Sequence, residues 1–286
     1  MEISKICVVG AGVMGSQIVQ LAAQSGYKVS VSDIGEEIVQ RGVNAIRENL
    51  QKFFVDKGKM TQDEADLVLS RIKGTTDLKE AVTGAQLVIE AVSEDIKLKQ
   101  ELFKKLDEVC APETILASNT SSLMITEIGS LTKRQDKVIG MHFWNPVLIL
   151  KLVEVIRGSE TSDETYEVIK DLSVKFGKVV VTVKDSPGLV VGRLFAVLCN
   201  EAAKMLEEGI ATAEDIDNGC VLGLGHAMGP FKTQDIVNGV GVTVKALNTM
   251  QAAFGDFYAP TQLQTKMTEA GETGVQAGKG FYNYKK

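Results

Sequence analysis

Along the first two thirds of the chain, short apolar runs alternate with longer stretches whose apolar residues recur every three or four positions. Residues 5–9 form an apolar run that ends in Gly10, and residues 13–24 carry helical spacing closed by Gly26. Residues 28–32 alternate with β-branched content and end at Asp33, and a helical pattern then covers 36–55. Thr61 and Glu64 make a capping box ahead of another helix. Residues 86–92 (QLVIEAV) read as a strand buried on both faces, and 95–109 as a charged amphipathic helix. Residues 114–117, 138–141, 153–156 and 179–183 read as further strands. Strands alternating with helices predict an α/β fold with a Rossmann-type, mainly parallel sheet.

The pattern changes at Ser186-Pro187, where a serine before a proline matches an N-cap and a first helical position. One apolar-striped helix is predicted from there to Gly209. Further helices are expected to start near Thr212, Pro230 and Pro260, with no strand among them. The predicted organisation is an α/β domain over 1–185 and an all-helical domain over 186–286.

With 286 residues, 44% of them hydrophobic, the chain is long enough to bury full cores without covalent staples. A net charge of -6 argues against a nucleic-acid partner, which needs an extended basic face. It leaves open an anionic small molecule held by a local lysine cluster. Cys7, Cys110, Cys199 and Cys220 lie at no CxxC spacing, so no metal site is suggested, and four reduced thiols in a cytoplasmic protein are expected. No apolar leader precedes residue 5 and no stretch approaches bilayer length, so no membrane association is expected.

Gly10-Ala11-Gly12-Val13-Met14-Gly15 is a G-x-G-x-x-G that follows a strand and opens a helix, with Asp33 ending the next strand. That context makes it a dinucleotide fingerprint. Gly10 serves the tight turn, Gly12 clears the backbone for pyrophosphate, and Gly15 permits close packing of the helix. The helix start presents free N–H groups to phosphate. Asp33 can accept from both ribose hydroxyls, and its charge repels a 2′-phosphate, so NAD is expected rather than NADP.

Ligands of such sheets gather at strand C-termini. Three segments qualify: Ser118 to Ser122, His142 to Pro146, and the strand that carries Glu154. Oxidising a secondary alcohol needs a base, and histidine titrates near neutrality. His142 is one of only two histidines in the chain. A buried Glu154 can hold its imidazole in one tautomer, and Ser121 can bond the reacting oxygen. A histidine after a strand also serves merely to satisfy a turn, and a Ser/Asn/Thr cluster to cap a helix. Both readings stand on the residues alone. The other histidine, His226, reads as structural in a Gly-rich turn.

The segments SNTSSL, HFWNP, KLVEVI, SPGLVVGRL, GHAMGPF and GKGFYNY occur in the order found in the 3-hydroxyacyl-CoA dehydrogenase family. Over nearly its whole length the sequence resembles the short bacterial branch of that family, which acts on 3-hydroxybutyryl-CoA. The resemblance implies His142 as catalytic base, Glu154 as its partner and Ser121 on the substrate oxygen. It implies Asn145 near nicotinamide and substrate, Glu94 and Lys99 at the cofactor, and an acyl-CoA substrate. It also implies a homodimer formed through the helical domain. Lys52, Lys57 and Lys59 fall where the family binds the CoA nucleotide, although for any one of them a solvated helix face is the slightly better account.

Four positions depart from the family pattern. Gly192 stands where an asparagine helps hold substrate, Leu148 and Ala227 replace prolines, and Gln276 replaces a lysine near the cofactor. Within a helix Gly192 costs about 1 kcal/mol relative to alanine. Loss of a placed amide donor lowers turnover on the order of 10²–10³-fold if it acts as oxyanion donors do. These departures keep two alternatives open, a dehydrogenase of a non-CoA 3-hydroxy acid and a catalytically impaired NAD-binding homologue.

Overall fold

A computed structural model of the chain describes residues 1–284 and forms two compact units, Met1–Ser186 and Pro187–Lys286. In the first unit the apolar runs become strands β1 (Lys5–Val9), β2 (Lys28–Ser32), β3 (Ile72–Thr75), β4 (Leu87–Glu90), β5 (Ile115–Ser118), β6 (Val138–Phe143), β7 (Leu152–Arg157) and β8 (Val179–Lys184). The helices between them are α1 (Val13–Gln24), α2 (Glu36–Leu50), α3 (Gln62–Ser70), α4 (Leu78–Val82), α5 (Ile96–Val109), α6 (Ile125–Ile128) and α7 (Asp163–Lys175).

All eight strands join one sheet in the order β3-β2-β1-β4-β5-β6-β7-β8. Every pairing is parallel except β6 with β7, which is antiparallel. The order reverses between β1 and β4, and the crevice beyond their C-terminal ends is where open α/β sheets take ligands. Strands β4, β5 and β6 are buried at every position, as continuous apolar runs covered on both faces must be. Ile6, Ile18, Leu87, Ile89 and Phe143 sit in this core.

The long helix predicted over 36–55 divides. Regular α-helix stops at Leu50, and Gln51–Val55 form a π-helical turn, with the Asp56 N–H donating to the Gln51 carbonyl at 2.9 Å. The capping box at Thr61 and Glu64 is formed in both directions. Strand β3 and helices α4 and α7 lie where the residue pattern carried no assignment. Ile72–Thr75 has only one strongly apolar residue and is half-buried at best.

The second unit holds α8 (Val191–Glu207), α9 (Ala213–Leu224), α10 (Pro230–Ile236), α11 (Val240–Phe254) and α12 (Gln262–Glu269). Its described residues form no named strand, only isolated bridges at Gly274, Lys279 and Asn283. The expectation that Ser186 caps a helix begun by Pro187 is overturned. Gly188 and Leu189 have φ of +81° and +54°, a left-handed conformation no helix contains, so α8 cannot begin before Val191. Gly192 is thereby the second residue of α8 rather than an interior one, and the full interior penalty does not apply. Thr212 caps α9 and Pro230 opens α10, while the helix expected near Pro260 is capped by Thr261 instead. Two small cores hold this unit together, one around Leu247, Met250 and Tyr258 and one around Ala203, Ile216 and Phe231.

Candidate active site

The glycine turn lies between the C-terminal end of β1 and the start of α1. Gly10 has φ +107°, and a Cβ there would stand 2.6 Å from the Ala91 carbonyl oxygen, so no larger residue fits. A Cβ on Gly15 would come within 1.8 Å of the Gly10 carbonyl oxygen. The close approach that Gly15 permits is therefore to the turn itself. Gly12 faces open space and caps α1 with no side-chain acceptor. The first-turn N–H groups of Val13, Met14 and Gly15 have no partner within the helix. Asp33 accepts the Ala11 N–H on Oδ2 and the Ile34 N–H on Oδ1, each at 2.7 Å, which leaves a second lone pair on each oxygen. Val13 and Ile34 flank the turn as large exposed apolar residues, 69% and 96% exposed. An exposed row of N–H donors, a backbone cleared of side chains and a fixed carboxylate fit a dinucleotide.

His142 and Glu154 face each other in the one antiparallel pairing of the sheet. Directly opposed residues of such a pair project to the same face, and here the His142 Nδ1 lies 2.8 Å from Glu154 Oε2. Glu154 is fully buried and His142 is 8% exposed. The carboxylate is the acceptor, so Nδ1 carries the proton and Nε2 presents its lone pair. Nε2 makes no hydrogen bond among the described residues. Trp144 donates its indole N–H to the same Glu154 oxygen at 3.1 Å, and its ring stands 5.2 Å from the imidazole.

The serine-rich loop after β5 is tied down from beneath. Glu94 Oε1 accepts from the Thr120 hydroxyl at 2.5 Å, the Ser121 and Ser122 N–H groups at 3.0 and 2.9 Å, and the Ser122 hydroxyl at 2.9 Å. Burial pushes the Glu94 carboxyl up, but the Thr120 hydroxyl, the Lys99 ammonium and Ser122 outweigh it and hold the group below the ordinary carboxylate value. Ser121 itself is exposed. Lys99 is 1% exposed and lies under the loop rather than on its surface. Its ammonium meets Glu90 Oε1 at 2.5 Å, the Val92 carbonyl at 3.4 Å and Glu94 Oε2 at 3.5 Å. All three contacts, two hydrogen bonds and one ion pair, are to the protein itself.

Side-chain amides join these parts. The Phe143 N–H donates to Asn119 Oδ1 at 2.8 Å, which ties the end of β6 to the serine loop. Gln17 on α1 accepts the Val147 N–H at 2.8 Å and donates to Asn145 Oδ1 at 3.0 Å. The loop after His142 therefore lies against the fingerprint helix. Across that loop the buried ammonium of Lys178 donates to the Val147 and Leu150 carbonyls, and burial lowers its pKa. Leu148 packs against the main core.

Other expected residues stand elsewhere. Lys52, Lys57 and Lys59 are exposed on and after the π-helical turn, with the Lys52 ammonium 5.3 Å from the Phe53 ring. In the second unit Gly192 has open space around its Cβ position, and Gln276 donates its backbone N–H to Asn238. Half-buried His226 follows the left-handed Gly225 at the end of α9 and donates its backbone N–H to the Cys220 carbonyl. Burial pushes the Cys7 thiol up to about 12 and Cys110 to about 11, so neither is a nucleophile near neutrality. Sequence reasoning missed Gln17, Trp144 and Glu90. Glu90 had left a signal, an acid inside an otherwise apolar strand, which a buried sheet tolerates only when paired.

Comparisons with known proteins give the family. Residues 5–186 match the family described as 3-hydroxyacyl-CoA dehydrogenase, NAD binding domain, and residues 188–284 match 3-hydroxyacyl-CoA dehydrogenase, C-terminal domain. A probable 3-hydroxybutyryl-CoA dehydrogenase of Bacillus subtilis (strain 168) is 44% identical over 99% of this chain and 98% of its own. The human mitochondrial hydroxyacyl-coenzyme A dehydrogenase is 40% identical over 99% of this chain and 92% of its own. The crystal structure of (S)-3-hydroxybutyryl-CoA dehydrogenase from Ralstonia eutropha superimposes with a TM-score of 0.95 at 39% identity, covering 100% of both chains. A strand–glycine turn–helix built to take a dinucleotide, a His–Glu pair at a neighbouring strand end and two profile matches spanning residues 5–284 lead to one assignment: the chain belongs to the 3-hydroxyacyl-CoA dehydrogenase family.

Proposed function

We propose that this protein uses NAD to interconvert a short-chain 3-hydroxyacyl-CoA, such as 3-hydroxybutyryl-CoA, and the corresponding 3-oxoacyl-CoA. The observation that carries the reading is the buried His142–Glu154 pair, with one imidazole nitrogen fixed and the other open. NAD, when bound, supplies the hydride acceptor. Gly10, Gly12, Val13, Met14 and Gly15 hold its phosphates, and Asp33 its ribose. His142 takes the substrate hydroxyl proton on Nε2 during oxidation and returns it during reduction. Glu154 stabilises the imidazolium so formed and keeps the ring in the productive tautomer. Ser121 donates its hydroxyl to the reacting oxygen from a loop that Glu94 and buried Lys99 hold in place. Asn145 binds beside the nicotinamide and substrate.

Lys52 and Lys57, both exposed, supply positive charge for the CoA phosphates. The helical unit pairs with a second copy. Leu194, Leu222, Leu224, Ile236 and Val242 are each more than half exposed on it, apolar area that pairing would cover. Among the described residues no helix is long and apolar enough to cross a membrane, and the four cysteines are free, in keeping with a reducing cytoplasm.

The test is NADH oxidation with acetoacetyl-CoA, run beside free acetoacetate and with NADPH in place of NADH. The reading expects turnover with the thioester and NADH and little in the other two arms. Preference for the free acid would overturn the acyl-CoA assignment. Light scattering should give twice the chain mass.

A further inference from the structure

We propose that Gln17 is a positioning residue that sets the polarity of Asn145, so that this asparagine acts on the ligand as a hydrogen-bond donor. The inference rests on the reading above, in which Asn145 touches nicotinamide or substrate. The two ends of an amide look alike in shape but not in function, one donating and the other accepting. A chain of hydrogen bonds anchored on a backbone group decides which end faces where.

The anchor is the N–H of Val147, a donor that cannot be reversed. It lies 2.8 Å from one end of the Gln17 amide, which must therefore be the oxygen. The other end of Gln17 is then its NH₂, and it meets two groups. One is the Val13 carbonyl at 3.2 Å, an acceptor that is equally fixed. The other is the Asn145 side chain at 3.0 Å. A donor there requires Asn145 to offer its oxygen, so Asn145 Nδ2 is turned away from α1. That Nδ2 makes no hydrogen bond among the described residues, and Asn145 is exposed. Two backbone groups thus fix the state of two side-chain amides in series. Lys178 grips the same loop at the Val147 and Leu150 carbonyls, so the loop cannot readily shift to accommodate the opposite orientation.

The exposed donor suits a carbonyl oxygen. Two sources offer one, the acyl chain of the substrate and the carboxamide of the cofactor. A carboxylate at position 17 would still accept from Val147 but would present an oxygen to Asn145, inverting its amide and withdrawing the donor.

The experiment combines Gln17→Glu and Gln17→Met with a double-mutant cycle against Asn145→Ala. Gln17→Glu should lower kcat/KM for acetoacetyl-CoA by roughly 10–10²-fold, as expected for a misdirected donor. Gln17→Met, which brings no charge near the glycine turn, should lower it less. Both losses should vanish in the Asn145→Ala background. A loss that persists there, or no loss at all, would overturn the proposal. NADH affinity, measured by fluorescence without acyl-CoA, separates the two carbonyl sources. A weaker affinity in Asn145→Ala identifies the carboxamide, and an effect confined to acyl-CoA turnover identifies the substrate; either supports the contact, and the Gln17 variants test its polarity.

The ligand-free protein gives an independent readout. In ¹H–¹⁵N spectra the Gln17 side-chain amide should exchange slowly with water and the Asn145 amide quickly, and the reverse order would overturn the assignment. Full activity in Asn145→Ala would overturn the contact itself. The exchange order distinguishes that result from failure of the Gln17 clamp.

Discussion

Two clusters of buried charge stand at neighbouring strand ends of the same sheet, and they differ in what they leave open. The Lys99 ammonium donates to the Glu90 carboxylate and the Val92 carbonyl and forms an ion pair with the Glu94 carboxylate. The second oxygen of Glu90 takes the Ser118 hydroxyl at 2.6 Å. His142 meets Glu154 through Nδ1 only, and its Nε2 is left with a lone pair and no partner among the described residues. A buried charge network whose charges are all met inside the protein organises backbone. A buried pair with one valence open can exchange a proton with something that arrives. Burial and charge alone would have marked both as functional, and the count of unfilled bonds separates them.

The sharpest way to break the comparison is to remove the open valence. His142→Gln keeps a similar shape but cannot carry a proton, and kcat should fall on the order of 10⁴-fold while Tm changes little. Retained turnover in a folded variant would end the assignment. Lys99→Met should do the opposite. It leaves the fully buried Glu90 unpaired, and denaturant unfolding should register a loss of about 3–5 kcal/mol. A stable Lys99→Met variant with impaired NAD affinity would show that the closed cluster serves the ligand directly.

Glu154→Gln comes next, because it retains a hydrogen bond but no longer stabilises an imidazolium. A drop in kcat of roughly 10²-fold is expected, steeper toward the oxidative direction where the imidazolium forms. Glu94 offers a pH-based version of the same contrast. Its carboxyl is held below the ordinary value of 4.5 in the fold, so the unfolded chain binds the proton more readily. The stability this contributes is complete above that value and drains away as pH falls through the folded value. Thermal unfolding followed downward from pH 5 should therefore decline more steeply in the wild type than in Glu94→Gln. The smallest effect is expected from Gly192→Asn. The open space around this first-turn glycine admits the side chain, stability should move by less than about 0.5 kcal/mol, and kcat/KM on acetoacetyl-CoA should rise by at most about tenfold, the worth of one ordinary hydrogen bond rather than of an oxyanion donor. No rise would mean that another group already supplies the missing donor.

Much of the first unit was legible because its signals are local. A glycine turn after an apolar run, a Thr-x-x-Glu box and a Gly-closed helix each depend on residues a few positions apart, and α1 and β2 occupy the stretches their patterns indicated. The second unit was less legible at its start. Ser186-Pro187 satisfied a cap rule, but the positive φ at Gly188 and Leu189 delays the helix to Val191, and nothing in the pattern of apolar positions encodes a backbone reversal. The π-helical turn at Gln51–Val55 was hidden for the same reason, since one added residue barely disturbs a 3.6-residue period.

The sequence by itself determined the kind of sheet, the glycine turn and the short roster of groups able to move a proton, because these follow from side-chain type and near-neighbour spacing. Tertiary structure alone decided which of those groups meet. The antiparallel return of β7 sets Glu154 directly across from His142, and a one-residue slip would have turned one of them to the other face. Strand order likewise brought Lys99 beneath the serine loop and Gln17 against Asn145, 128 positions away along the chain. Hydrogen bonds act over about 3 Å, and only the packed fold converts such separations into that distance.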